Sequence, residues 1–451
     1  MTQPINEKLI DKVQGTIQKG DQTSLRRLID PMRAADVADL VEHLNPEERI
    51  YLFESLEPES AGDVFVEIEG PVQEKILSDL DNQAITEIVE ELDSDDAADL
   101  VGDLPVERAK QIIETLDDEV SDEIERLLPY PEDTAGGIMA LEFVAVHEDD
   151  TLGQAIDVIR AKREDVVNFF YLFVLDDFGR LVGVVSLKDL VVEPADRKIR
   201  EIMNPEVISV PVHLDQEEVA QLFKKYDLVT VPVVDDNHRL VGRITHDDII
   251  DVLEEEADED ISLMAGVIHQ EIAEESSLKI SRARLPWLVA GLFGGVLAAA
   301  VINEFETALQ KIITLAFFIP VIMAMGGSSG TQAATVIVRG MATGDINIIN
   351  IGKRLWVELR VSFINGIICG IILGIIVSFW LSNVPLGVVV AVSLVIIVLS
   401  SGFIGAAVPL ILNKLHIDPA LATGPFVTTL NDILSLLIYL GMVTIFFRFI
   451  T

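Results

Sequence analysis

One carboxylate in this chain stands where a carboxylate is hardest to keep. Asp432 lies in LATGPFVTTLNDILSLLIYLGMVTIFFRFI, residues 421–450, with no other charge before Arg448. Roughly 20 apolar residues of helix cross a bilayer core, so the segment is long enough to span. An ionisable group at that depth costs between ~2.5 and well over ~10 kcal/mol, depending on its reach to water. The chemistry it supports is attraction of a cation into the membrane; the alternative is a protonated or hydrogen-bonded Asp that only packs the bundle. Asp418, in IDPALATGP, stands at the cytosolic mouth of the same segment. Upstream, Gly326, Gly327 and Ser328 open the run GGSSGTQ. Small residues there either let helices pack closely or break a helix and turn carbonyls towards an ion path. Gly424-Pro425 predicts a kink one to two turns before Asp432.

A second set of carboxylates lies outside the apolar part. Asp247, Asp248, Asp251, Glu254, Glu255, Glu256, Asp258, Glu259 and Asp260 crowd one stretch, with no Lys or Arg between Arg243 and Lys279. At helical spacing Asp248, Asp251, Glu255, Asp258 and Glu259 form one ridge, and like charges so placed repel. Divalent cations bridging the ridge to another acidic surface would relieve that repulsion; a solvated face is the alternative. Asp95, Asp96 and Asp99 in DSDDAADL read by default as helix caps and solvated face.

The elements that must position these groups divide sharply. Residues 1–284 carry 26 basic and 68 acidic residues, and the remainder 7 and 6. This is an acidic soluble body joined to a nearly neutral membrane body. Such a surface repels nucleic acid and attracts divalent cations. The one cysteine, Cys369, sits in an apolar stretch, so disulfides and thiolate metal sites are excluded. Scattered histidines and the lack of any nucleophile–base constellation argue against an enzyme. MTQPINEKLIDKV has no charged-then-apolar leader, so the N-terminus is expected in the cytosol.

From Leu44 to Leu128 apolar residues recur in a twelve-residue phase at Leu44, Leu56, Ile68, Leu80, Leu92, Leu104, Leu116 and Leu128. Each unit predicts a turn and about two turns of amphipathic helix, too short to persist alone. Stacked in series they form an all-α solenoid over residues 1–130. Residues 131–254 then repeat an α/β pattern. Ile138-Met139 recurs as Ile202-Met203, Gly183 as Gly242, and Ser186-x-x-Asp189 as Thr245-x-x-Asp248, each of the last pair a capping box. Residues 255–284 read as an acidic connecting, plug-like helix, and 285–451 as an α-helical transmembrane bundle. Five spans are expected, at about 285–303, 311–337, 355–381, 385–412 and 421–449. Lys279, Arg282, Arg284, Arg339, Lys353, Arg354, Lys414 and His416 fall on the inner side and Glu304 and Glu306 outside, which leaves the C-terminus outside. One intramembrane carboxylate per chain makes a poor pore, so a homodimer is expected, with the two Asp432 side chains facing across its axis.

The repeat over residues 138–254 resembles a tandem pair of CBS motifs. That resemblance implies an adenine nucleotide such as ATP as a modulator, with Asp189 on the ribose, Tyr171 stacked on the base and Lys188 beside them. Asp248 matches Asp189 in the second copy, and capping alone also accounts for both. Taken whole, the order of acidic solenoid, CBS pair, acidic helix, five spans and GPFVTTLND resembles the MgtE-type magnesium channels. The resemblance implies a dimeric inner-membrane Mg²⁺ channel that Mg²⁺ shuts from the cytosolic side. It places the hydrated ion at Asp432 and the gate near Asp418. It places the sensing oxygens on Asp95, Asp99, Asp215, Glu217, Asp227, Asp248, Asp251, Glu256, Glu259, Asp260 and the Gly137 carbonyl. Ser328 and Gly424 depart from the asparagines found in that family, which leaves Mn²⁺ or Co²⁺ passage open. Two other readings compete: a carrier coupled to H⁺ or Na⁺, and a membrane-anchored Mg²⁺ or nucleotide sensor that transports nothing.

Overall fold

The computed structural model describes residues 7–68, 70–162, 170–267, 277–343, 351–415, 417–422 and 424–450. The chain forms two compact units, 1–253 and 254–451. His416 and most of the loop between the second and third spans lie outside the described residues.

Among the described residues the first unit begins with ten short helices: α1 (Glu7–Ile17), α2 (Gln22–Ile29), α3 (Ala34–Glu42), α4 (Pro46–Phe53), α5 (Pro58–Val66), α6 (Gly70–Asp79), α7 (Asn82–Val89), α8 (Ser94–Gly102), α9 (Val106–Ile113) and α10 (Asp118–Leu127). Their starts are written in the sequence. Asn45 and Glu48 make a reciprocal capping box before α4, with Pro46 in its first turn, and Asp81 accepts from the Ala84 amide before α7. Alternate helices stack, α3 on α5, α5 on α7 and α7 on α9. This arrangement buries Leu44, Ile68, Leu80, Leu104 and Leu116 along one seam, with Leu56 and Leu92 packed against it. Leu128 departs from the expected series and is 40% exposed. It stands at the C-cap of α10, the last helix of the series. Its neighbour Leu127 and Ala98 of α8 turn instead into the core of the second α/β repeat.

Two three-stranded sheets follow, β1 (Ala145–His147), β2 (Tyr171–Leu175), β3 (Leu181–Ser186) and β4 (Val210–Pro211), β5 (Thr230–Val234), β6 (Leu240–Thr245). Each keeps chain order, with a parallel first pair and an antiparallel second, and each has its irregularity at the same place, Val174/Leu175 and Val233/Val234. The helices between are α11 (Leu152–Ala161), α12 (Leu187–Val192), α13 (Ile199–Ile202) and α14 (Gln216–Tyr226). The repeats exchange their opening segments. A Cβ on Gly242 would stand 2.7 Å from Met139 Sδ, and one on Gly183 2.7 Å from Met203 Sδ. Each Ile-Met therefore docks on the other copy's glycine, a contact too close for any side chain there. The last helix, α15 (His246–Ala265), carries the acidic ridge without a break and crosses the division between the two units.

The second unit holds α16 (Ser277–Glu304), α17 (Glu306–Lys311), a 3-10 segment Ile313–Phe318, α18 (Ile319–Ala342), α19 (Ile351–Trp380), α20 (Val384–Lys414), a 3-10 turn Pro419–Ala422, α21 (Pro425–Ile445) and α22 (Phe447–Ile450). Among the described residues five stretches are long and apolar enough to cross a membrane: Ile280–Glu304, Ile313–Ala342, Ile351–Trp380, Val384–Lys414 and Pro419–Ile445. The expected kink at Gly424-Pro425 is absent. Gly424 is the cap residue and Pro425 opens α21, where its missing N–H goes unused in any case, so the pair separates the 3-10 turn from the helix.

Candidate functional site

Helices α18 and α21 pack together and leave an open cleft of about 560 Å³. Gly327, Ser328, Thr331 and Gln332 line it from α18, beside Met323 and Ala324, and Thr428 and Asp432 line it from α21. The spacing explains the set: residues 324, 328 and 331 share one stripe of a helix, and 428 and 432 lie one turn apart. A Cβ on Gly327 would stand 3.9 Å from Asp432 Oδ1, so the glycine keeps the space before the carboxylate open. The wall thus offers one carboxylate, three hydroxyls and an amide, all able to accept hydrogen bonds from water. The Tyr439 hydroxyl donates to the Leu315 carbonyl at 3.0 Å and ties α21 to the 3-10 segment.

The glycine motif serves two faces. Gly327 and Ser328 look into the cleft, whereas Gly326, expected beside them, does not line it. Gly326 is buried, and a Cβ there would collide with Ser435 Oγ and press on Ile397; one on Gly330 would collide with the Asn431 amide. Gly326 and Gly330 lie one turn apart and let α18 seat against α21 and α20, as small residues do in membrane packing. Asn431, adjacent to Asp432, is fully buried, and its amide has no hydrogen-bond partner among the described residues. Sequence reasoning missed Asn431 and Thr428. Their i−1 and i−4 spacing from Asp432 was the available signal.

Asp418 and Gly424 meet the end of α15. Asp418 is exposed and its Oδ1 accepts from the Ala420 amide at 2.7 Å. Asp260 is half-buried, and burial first, then the charges of Asp418, Glu256 and Glu259, push its carboxyl up to about 6. A Cβ on Gly424 would lie 3.5 Å from the Leu263 carbonyl. Glu256, Glu259, Asp260 and Asp418 therefore share one acidic neighbourhood at the start of the last span.

In the first unit, α8 and the start of α15 bring a second acidic group together. Asp95 is buried and its carboxyl lies well above the usual range, first through burial and then through Asp96, Asp248, Glu142 and Asp93. Burial pushes Asp96 up to about 8, with Asp248, Asp93, Asp99 and Asp251 adding repulsion. Asp248 is raised by burial although the Thr245 amide and hydroxyl donate to it at 2.9 and 2.8 Å. Glu142, in the segment before β1, holds the start of α8: its oxygens accept from the Ser94 amide at 3.0 Å and hydroxyl at 2.9 Å, while the Leu141 amide donates to Ser94 Oγ at 2.8 Å. Among the described residues no three His, Cys, Asp or Glu side chains converge at ligating distance. The donor set is nonetheless the hard oxygen chemistry that suits Mg²⁺, and its raised carboxyls mark charge that a cation would offset.

The remaining predicted positions separate. Asp215 caps α14 by accepting from the Glu217 amide, and its backbone bridges to Thr134, which brings the loop ending at Gly137 beside both. Asp227 ends the same helix in a left-handed conformation, φ 52°. It lies ~18 Å from Asp215 along the axis at 1.5 Å per residue, so the two belong to different places. Tyr171 is the register partner of Ser186, whose hydroxyl donates to Asp189 at 2.6 Å, so these three gather at one sheet end. Lys188 is exposed with its Nζ 3.8 Å from Asp189.

A family of divalent cation transporters, MgtE, matches residues 319–442, the MgtE intracellular N domain matches 32–133, and CBS domains match 135–196 and 199–255. The magnesium transporter MgtE of Enterococcus faecalis is 39% identical over 331 residues, 73% of each chain. That of Bacillus subtilis is 38% identical over 334 residues, 74% of each, and that of Thermus thermophilus 40% over 338, 73% of each. Among solved structures, the cytosolic domain of the Mg²⁺ channel MgtE in complex with ATP aligns at TM-score 0.51 and 36% identity, covering 54% of this chain and 99% of that one. The soluble part of a magnesium transporter aligns at TM-score 0.51 and 32% identity, over 56% and 99%.

Proposed function

The chain belongs to the MgtE family of magnesium transporters, a family of transporters and not of enzymes, and on that premise we propose that it carries hydrated Mg²⁺ inward past Asp432. The observation that carries the reading is the cleft in which Asp432, Ser328, Thr331 and Thr428 converge. Mg²⁺ is small and gives up its water reluctantly. A carboxylate among hydroxyls attracts the divalent charge and holds it through its own water shell, without stripping it. Two copies about a two-fold axis would set two such half-sites face to face, with Ser328 and Gly424 tuning the preference over Mn²⁺ or Co²⁺. The membrane potential supplies ~2.3 kcal/mol per charge per 100 mV, so no ATP hydrolysis is needed.

Control falls to the cytosolic acids in this reading, with the solenoid at 1–130, CBS pair at 131–254, connecting segment at 255–284 and pore at 285–451. Mg²⁺ at Asp95, Asp99, Asp248 and Asp251 relieves the repulsion between α8 and α15. Mg²⁺ near Glu256, Glu259 and Asp260 holds the end of α15 at Asp418 and Gly424. Swinging a gate from 1:99 to 99:1 takes ~5.5 kcal/mol of differential binding, which several weak sites supply together. ATP at Tyr171, Lys188 and Asp189 would bias the same arrangement.

Flux of Mg²⁺, Mn²⁺, Co²⁺ and Ca²⁺ into reconstituted vesicles, wild type beside Asp432→Ala and Asp432→Asn, tests the proposal. Both variants should lose Mg²⁺ flux while keeping the fold. Undiminished flux in Asp432→Asn would overturn it, and flux that stops when a proton or Na⁺ gradient is collapsed would favour a coupled carrier.

A further inference from the structure

Helix α19 is longer than the membrane it crosses. Its 30 residues rise ~45 Å at 1.5 Å each, against a hydrocarbon core of ~30 Å. Phe379 and Trp380 are exposed at its far end and form the outer aromatic anchor. Counting back ~20 residues from there puts the inner edge of the core near residue 361. Arg360 then sits at the edge, Trp356 one turn further out and Lys353 one turn beyond. All three are exposed, Trp356 to 57%.

Steps of three and four residues place Lys353, Trp356 and Arg360 on one stripe. The Arg360 guanidinium lies over the Trp356 ring, 5.4 Å from its centroid. Arg354 faces elsewhere and pairs with Glu358 at 3.8 Å. Arg360 has no carboxylate partner among the described residues. The same stripe continues inward through Ile364, Ile367 and Ile371, all exposed. A cation held on an aromatic face at the interface, with a second cation outside it and an aliphatic track inside it, has the shape of a lipid: phosphate at the head and acyl chain along the helix.

We infer that Lys353, Trp356 and Arg360 form a binding site for an anionic phospholipid on the cytosolic rim of the third span. The stacked guanidinium is pre-aimed for the phosphate, and Lys353 selects headgroups that carry no ammonium of their own. The inference rests on the membrane reading of α19 and its inner-side orientation, and it is independent of which ion the protein carries.

The test uses the full chain in neutral detergent, with native mass spectrometry counting retained lipids after equal exposure to phosphatidylglycerol and phosphatidylcholine. Wild type should retain phosphatidylglycerol about tenfold over phosphatidylcholine and gain thermal stability from it. The double variant Lys353→Gln, Arg360→Gln should lose that preference while its melting temperature in phosphatidylcholine stays put, and Arg360→Lys should restore part of it. Glycerol phosphate alone should give no protection. Equal retention by the double variant would overturn the site. So would protection by glycerol phosphate, or a change in oligomer mass on substitution, which would make this face a contact between copies.

Discussion

Asp96→Asn should draw the acidic solenoid and the second CBS repeat together at lower Mg²⁺. In the packed arrangement burial pushes the Asp96 carboxyl up to about 8 from an ordinary 3.8, with Asp248, Asp93, Asp99 and Asp251 nearby. Each pH unit above the ordinary value costs about 1.4 kcal/mol on packing, so at pH 7 the penalty is on the order of 4 kcal/mol. Solvent access and the sharing of protons within the cluster reduce that figure. A third of it, about 1.4 kcal/mol, is still tenfold in the packing equilibrium. The sign follows from the raised value. Packing takes up a proton, so its contribution is full below about pH 4 and is lost as pH rises through 8. Wild type should therefore need more Mg²⁺ at pH 8 than at pH 6, and Asp96→Asn should need about tenfold less at pH 8 with a flatter pH profile. Hydrogen exchange of the α8 amides in the full chain in nanodiscs, followed against Mg²⁺, reads this directly. If the variant needs as much Mg²⁺ as wild type, or more, Asp96 is a ligand and not a source of repulsion, and the reasoning fails.

Gly330→Ala should destabilise the membrane unit by ~1–3 kcal/mol, because its Cβ meets the Asn431 amide. Gly327→Ala should melt like wild type yet pass less Mg²⁺, since its Cβ enters the cleft 3.9 Å from Asp432; equal effects of the two on melting and flux would refute the two-faced motif. Glu142→Ala leaves the Ser94 amide and hydroxyl without their acceptor and should cost ~1–3 kcal/mol, seen as faster exchange at the start of α8 at saturating Mg²⁺. Asp189→Ala should weaken ATP binding at least ~10-fold by calorimetry, as loss of one charge-assisted hydrogen bond predicts, without changing Mg²⁺-driven packing.

Much of the architecture was legible because its signals are local. Caps at Asn45 and Asp81, the twelve-residue apolar phase, the Ser186-x-x-Asp189 and Thr245-x-x-Asp248 helix starts and the long apolar runs each act within a few residues of themselves. They set element type and order without reference to the rest of the chain. Asp432 was found the same way, since a charge in an apolar span is conspicuous whatever surrounds it.

What needed three dimensions was every choice between faces. The spelling GGSSG is equally suited to packing and to an ion path, and only the seating of α18 on α21 turns Gly326 and Gly330 into the helix contact and Gly327 and Ser328 towards the cleft. The repeated Ile-Met and Gly pairs are visible in the sequence, but not that each Ile-Met docks on the other copy's glycine. Likewise Asp95 and Asp96 read as solvated caps until α15 is packed against α8 and burial lifts their carboxyls. A helix places a side chain every 100°, so a single residue's step moves it from solvent to seam, and which seam exists depends on a partner far away in the chain. Local sequence fixes the helix; its neighbour decides what each face is for.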